Sequence, residues 1–232
     1  VLYGGRGSDT YQFTGSFGND KIIETASRRD TDSSDTLIIG NTIDSLSFSR
    51  DGQSMTINVV DEDYNDSLDA SGSIMIGRQY YMPTDSGRVE AVTLDFNVDN
   101  TGATTTTYNL VDENRSRDSG YQRVQEGTEN SDIFVAGDHS TLLDQVGDGD
   151  HVYLASDSDA KIVLDVGSGD QITIHGWSQE ANVSIDAGAG NTTSVNTNGT
   201  ATITNEFEEV VATIVFDGGA PMTDNDLVND IY

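Results

Sequence analysis

Three short segments near the N-terminus hold the residues best suited to chemistry. Gly4-Gly5-Arg6-Gly7-Ser8-Asp9-Thr10-Tyr11-Gln12 sets glycines ahead of an aspartate and places a large apolar residue, Tyr11, two positions after it. Gly15-Ser16-Phe17-Gly18-Asn19-Asp20-Lys21-Ile22-Ile23 repeats the pattern around Gly18 and Asp20, and Asp32-Ser33-Ser34-Asp35-Thr36-Leu37-Ile38 is a more degenerate copy around Asp35. Glycine reaches backbone angles that a Cβ forbids, which turns carbonyl oxygens inward, and the aspartate adds a charged oxygen. An all-oxygen donor set suits a hard cation such as Ca²⁺. The candidate oxygen donors are the side chains of Asp9, Asp20 and Asp35 and the backbone carbonyls of Gly5, Gly7 and Gly18.

Charge fits that chemistry and equally a solvated acidic surface that holds no metal. The 232 residues carry 40 Asp and Glu against 11 Lys and Arg, a formal net charge of -29. Phosphates would be repelled, so nucleic acid is excluded as a partner. A cation that neutralises clustered carboxylates favours the folded state, whereas an unliganded acidic surface would only be solvated. The chain has no cysteine, so neither a disulfide nor a thiolate zinc site can staple it. No apolar run reaches the about 18 residues a membrane helix needs, and no membrane span is expected.

Other constellations are weaker. Asp61-Glu62-Asp63-Tyr64-Asn65-Asp66 opens like an EF-hand loop but has Asp66 where glycine is required and Gly72 where a clamping glutamate belongs. His139, His151 and His175 could in principle hold zinc or act as a base, but they form no H-E-x-x-H motif and no i, i+4 pair, and are read as turn or edge residues. Neither a G-x-S-x-G elbow nor a phosphate-binding glycine loop occurs. Trp177, Tyr80, Tyr81 and Tyr153 could build a sugar-stacking platform, but aromatics in alternating strands usually serve packing.

The elements that must position these groups are strands. Glycine is abundant, with 24 copies, and no stretch holds apolar residues at helical spacing for three turns. Short alternating runs such as Ser54-Met55-Thr56-Ile57-Asn58-Val59-Val60 dominate instead. Leu46 to Arg50 and Met55 to Val60 flank Asp51-Gly52, which favours a hairpin, and further strands are expected near Ser73 to Met82 and Arg88 to Phe96. From Asn97 to Arg123 the chain is polar, with a Thr-rich strand at Thr104 to Leu110 as one option.

The second half holds an internal repeat. Leu143-Asp144-Gln145-Val146-Gly147-Asp148-Gly149-Asp150 aligns with Leu164-Asp165-Val166-Gly167-Ser168-Gly169-Asp170 and with Ile185-Asp186-Ala187-Gly188-Ala189-Gly190-Asn191, each followed by a short strand. Recurring turn-and-strand units are how parallel β-solenoids stack, and a meander of hairpins is the other reading. These loops are one residue shorter than the N-terminal motif, and the last has Asn191 in place of aspartate. They serve either as metal loops or as structural turns. Gly127-Thr128-Glu129-Asn130-Ser131-Asp132-Ile133-Phe134 is a further partial match.

The nonapeptide Gly4 to Gln12 fits G-G-x-G-x-D-x-U-x, the calcium-binding repeat of the repeats-in-toxin (RTX) proteins. With Gly18-Asn19-Asp20-Lys21-Ile22, Asp35-Thr36-Leu37, Leu46 to Gly52, Ser73-Ile74-Met75-Ile76 and Arg88-Val89-Glu90, the stretch from Leu2 to Phe96 resembles the end of an RTX β-roll followed by the haemolysin-type calcium-binding protein-related domain. The resemblance implies Ca²⁺-triggered folding outside a bacterial cell, export by a type I secretion exporter, and a place as the tail of a toxin, adhesin or hydrolytic enzyme. The expected fold is all-β: the end of a parallel β-roll and a small antiparallel region over 1–100, a connection over 101–123, and a β-solenoid-like or β-sandwich domain over 124–232. The expected role is a calcium-binding structural and secretion module, secreted or at the cell surface, and not an enzyme. A module that binds cell-surface glycans and a part of a polysaccharide-active enzyme are the alternatives.

Both ends of the chain carry expectations as well. Val1-Leu2-Tyr3-Gly4-Gly5 reads as the middle of a repeat, as in a fragment of a longer protein. Asp224-Asn225-Asp226-Leu227-Val228-Asn229-Asp230-Ile231-Tyr232 is acidic, and no lysine or arginine follows Lys161; type I secretion signals resemble this.

Overall fold

The computed structural model describes residues 1–24, 34–40, 45–60, 71–80, 88–96, 104–111, 113, 123–137, 141–147, 149–154, 159–167, 170–176, 182–196 and 199–217. The acidic loop 61–66, His139, Tyr81, Trp177 and the C-terminal segment 224–232 lie outside them. Regular structure among the described residues is all strand, and the chain forms two compact units, Val1–Asp112 and Glu113–Tyr232.

In the first unit the chain alternates between two sheets. One receives β1 (Leu2–Tyr3), while β2 (Thr10–Phe13) goes to the other; β3 (Ser16–Ile23) then stacks parallel on β1, and β4 (Thr36–Ile39) stacks parallel on β2. This is a β-roll, in which each coil adds one parallel strand to each sheet. The hairpin of β5 (Ser45–Asp51) and β6 (Ser54–Val60) interrupts it before the roll resumes with β7 (Ser71–Gly77) parallel to β3 and β8 (Ala91–Phe96) parallel to β4. β6 also pairs antiparallel with β7, and β9 (Thr104–Leu110) pairs antiparallel with β8, so the Thr-rich segment is a strand. The hairpin closes through Gly52-Gln53 with φ +57 at Gly52, where a glycine opens a two-residue loop without strain.

Parallel registration turns the period-2 pattern of each strand into apolar rows. Tyr11, Leu37 and Val92 form one row, and Phe13, Ile39 and Leu94 the next, all buried. Across the other sheet Ile22 faces Ile76, which faces Met55, and all three are fully buried. Burial of each such side chain contributes about 1.5–3 kcal/mol. Gly72 permits a close approach of β3 and β7: an added Cβ would strike the Gly18 carbonyl oxygen and the Phe17 ring. Its place is set by packing between β3 and β7.

The second unit is a roll as well, which decides between the solenoid and the sandwich. One sheet stacks β10 (Arg123–Glu126), β12 (Thr141–Val146), β14 (Asp159–Leu164) and β16 (Asn182–Asp186), all parallel. Its partner stacks β11 (Asp132–Val135), β13 (His151–Tyr153), β15 (Asp170–His175) and β19 (Val210–Asp217) in parallel, then adds β18 (Thr200–Thr204) and β17 (Thr192–Asn196) antiparallel. The third repeat copy thus departs from the expected stack, since its strand β17 folds back on β18. Its loop differs too: the Asn191 amide donates to the Ala187 carbonyl at 2.7 Å, where Asp150 accepts from the Gly147 N–H at 2.7 Å.

A candidate cation site between two coils

The pairing of Leu2 with Ile22 and Tyr3 with Ile23 brings Gly4 and Glu24 side by side where the chain leaves the first sheet. The loops that follow end at Asp9 and Asp35, which precede β2 and β4 and lie next to each other because Thr10 pairs with Thr36. One carboxylate oxygen from each of Asp9, Glu24 and Asp35 therefore falls within 4.8 Å of the others. Glu24 and Asp35 are buried, at 3% and 4% exposure. The Asp35 carboxylate accepts the Asp9 N–H at 2.8 Å, and the Asp35 N–H donates to Glu90 at 2.5 Å. The Tyr11 hydroxyl donates to Glu24, as does the Gly5 N–H.

Three acids this close are electrostatically costly without a cation. Burial pushes the Glu24 carboxyl up, the Tyr11 hydroxyl and Gly5 N–H oppose that, and the charges of Asp35 and Asp9 add to it. Burial likewise raises Glu90 to about 7, against the Asp35 N–H that favours its ionised form. The Tyr11 phenol is pushed up by burial and by Glu24. Asp9 Oδ2 is buried and has no hydrogen-bond partner among the described residues, a state that costs free energy unless something positive meets it. Gly4 keeps the space open: a Cβ there would lie 2.7 Å from Asp9 Oδ2 and would collide with the Tyr11 hydroxyl and the Glu24 carboxylate. The oxygen-only donor set and the unmet oxygen fit a hard divalent cation.

The other expected ligands are placed differently. Gly5 and Gly7 take left-handed φ of 107° and 92° in the first loop, and Gly5 reaches Glu24 through its N–H. Gly18 and Asp20 lie within strand β3 rather than in a loop, and Asp20 stands apart from the three-acid cluster. Glu24 was not foreseen, because no motif position names it; its signal is the coil repeat that aligns it with Gly4.

Three aspartates of the second unit accept from backbone and hydroxyl donors. Asp150 accepts the Gly147 N–H at 2.7 Å and the Asp132 N–H at 2.8 Å. Asp170 accepts the Gly167 N–H. Asp132 accepts from the Thr128 N–H at 2.5 Å and the Thr128 hydroxyl at 3.1 Å. These carboxylates do for the turn amides what a capping side chain does for a helix end.

Two of the aromatic residues, Tyr80 and Tyr153, serve packing. Tyr80 is 1% exposed with the Arg50 guanidinium 3.9 Å from its ring centre, and Tyr153 is 9% exposed and stacked on His175. His151 and His175 are not turn or edge residues; they stand in strands β13 and β15, each with a strand on either side. Parallel stacking fills these positions, which sequence spacing alone does not reveal.

No family model and no curated protein sequence matches the chain. Among solved structures it is similar to the extracellular lipase LipA from Serratia marcescens, at 12% identity and a TM-score of 0.25, over 96% of this chain. The chain spans 38% of the length of that lipase. The expectation that the chain is not an enzyme is not kept, the solved structure it is similar to being a lipase. At that score the likeness assigns the chain no activity, substrate or site. No helix among the described residues is long and apolar enough to cross a membrane.

Proposed function

We propose that the chain is a calcium-binding β-roll segment of a larger secreted bacterial protein of the RTX type. The ion binds between the first two coils, held by Asp9, Glu24 and Asp35. Convergence of those three carboxylates beside the glycine-lined loop is the observation that carries the reading. Inside the cell, where calcium is scarce, repulsion among these acids holds the coils apart and keeps the chain threadable through a type I exporter. Outside, calcium neutralises them and stabilises the folded state by mass action. The second unit, whose turn aspartates are met by amide and hydroxyl donors, holds its coils together without the ion.

Calorimetric titration with Ca²⁺ tests this. Asp9→Ala and Glu24→Ala each remove one equivalent of bound calcium, whereas Asp20→Ala, outside the cluster, leaves that equivalent in place. Calcium stoichiometry unchanged by both cluster substitutions would overturn the assignment.

A further inference from the structure

We propose that His151 and His175 form a binding site for a divalent transition-metal ion of the imidazole-seeking class, such as Zn²⁺, Cu²⁺ or Ni²⁺, with Asp217 orienting the second ring. The site stands on three neighbouring parallel strands. Tyr153 on β13 pairs with His175 on β15, and His175 pairs with Asp217 on β19. His151 lies two residues before Tyr153 and so points to the same face of the sheet.

His151 Nδ1 and His175 Nε2 are 3.0 Å apart. Two imidazoles on one ion, each at a metal–nitrogen distance of 2.0–2.1 Å, place their nitrogens about 2.9–3.4 Å apart for bond angles from about 90° to 109°. The donor atoms already stand at chelating distance. The rings are 13° from parallel with centroids 5.3 Å apart, so without metal the nitrogens face each other across a shared hydrogen bond. Metal binding moves the His151 proton to its Nε2 and tilts the rings to aim both lone pairs at the ion.

The surroundings fix which nitrogen of His175 is the ligand. Its Nδ1 lies 3.2 Å from Asp217 Oδ2, and donation of that N–H to the carboxylate leaves the lone pair on Nε2. A carboxylate behind a histidine in this way orients metal-ligating imidazoles and raises their basicity. The Tyr153 ring stacks on His175 at 4.2 Å and 9°, which holds the ring plane. Burial lowers the pKa of both histidines, His151 to about 4, so both are neutral and able to ligate at neutral pH. The nitrogen donors set this site apart in chemistry from the oxygen cluster of Asp9, Glu24 and Asp35. Calcium takes oxygen ligands, whereas imidazole selects zinc, copper and nickel.

The test is calorimetric titration of the untagged full chain with Zn²⁺ in millimolar Ca²⁺, which keeps the acidic cluster occupied. One equivalent of zinc is expected. Asp217→Asn weakens binding roughly 10–100-fold, and His151→Gln or His175→Gln weakens it further. Asp9→Ala and His139→Gln leave zinc affinity unchanged, which separates this site from the calcium reading. Because a substituted roll could fold poorly, electron paramagnetic resonance of the unsubstituted chain with one equivalent of Cu²⁺ gives a second measurement, with splitting from two imidazole nitrogens expected. Absence of stoichiometric zinc uptake, uptake that survives in a folded His151→Gln, His175→Gln double variant, or a copper spectrum without imidazole nitrogen would overturn the proposal.

Discussion

The Asp35 carboxylate accepts the backbone N–H of Asp9 from the preceding coil at 2.8 Å. Asp150 does the same for Asp132 in the second unit, also at 2.8 Å. The carboxylate thus ties one coil to the previous one, and in the first unit it also faces Glu24 and Asp9 across the candidate cation site. Two substitutions separate these roles. Asp35→Ala leaves the Asp9 N–H without its charged acceptor and costs about 1.5–3 kcal/mol even with the cation chelated. Asp35→Asn keeps an acceptor oxygen and removes one of three clustered charges. It is expected to be at least as stable as the parent in chelator and to gain little from calcium, as denaturant unfolding with and without Ca²⁺ will report.

Calcium removal should act unevenly on the two units. The three-acid cluster lies in the first, whereas Asp132, Asp150 and Asp170 accept from protein donors in the second. Hydrogen exchange in chelator should show protection lost first at Tyr11, Leu37 and their neighbours in β2 and β4, while Val152 and Ile174 stay protected. Equal loss in both units would count against a cation site confined to the first.

Gly4→Ala tests the site by its shape. The added methyl would overlap the Tyr11 hydroxyl and the Glu24 carboxylate, and forcing extra atoms into a packed site costs about 1–3 kcal/mol. The variant should lose the calcium-dependent rise in thermal midpoint, because the acids can no longer converge. Gly40→Ala, where the nearest atom to a new Cβ is the Thr14 methyl at 3.5 Å, is the control and should keep that rise.

Much of this architecture was legible in sequence, for identifiable reasons. Period-2 alternation in Met55 to Val60 and the Asp51-Gly52 turn signal marked the hairpin because both are local. The Asp9 loop was legible because its glycines serve a local backbone need. Glu24 and the facing of His151 with His175 were not, because each depends on which residues the coil repeat stacks together. That repeat is irregular: Leu2 pairs with Ile22, but Ile22 pairs with Ile76 because a hairpin intervenes. The place of Asp20 in a strand was not legible for the same reason, since it depends on pairing with β7.

The histidine pair gives acid dependence to the chain freed of transition metals. His151 is held near 4 by burial and by His175, and His175 is lowered by burial against the pull of Asp217. A histidine whose folded pKa is depressed contributes stability that is present above its unfolded value near 6.5 and is lost as pH falls toward the folded value. Between these limits the unfolded chain binds protons that the folded chain refuses, so stability falls by up to about 1.4 kcal/mol per pH unit for each histidine. His151→Asn should flatten the stability profile between pH 6.5 and 4 relative to the parent in chelator. Parallel profiles would show that burial does not hold the ring neutral.

The two units also share a device that no motif announces. The Gln79 carboxamide donates to the Val89 carbonyl at 2.7 Å and accepts the Val89 N–H at 3.0 Å. Gln125 does the same for Val135, at 2.8 Å and 3.2 Å, also ten residues on. Both glutamines are fully buried. In each case a side-chain amide satisfies both backbone groups of a buried valine, groups that would otherwise lie unpaired away from water. Gln125→Ala leaves an N–H and a C=O of Val135 stranded, at about 1–3 kcal/mol each. Gln125→Glu keeps the acceptor but loses the donor and buries a charge, so it should be at least as damaging at neutral pH and recover as acid protonates it. The same ordering should hold at Gln79. Urea unfolding of the four variants at pH 7 and pH 5 checks it, and an alanine variant as stable as the parent at either position would show that the valine finds its partners elsewhere.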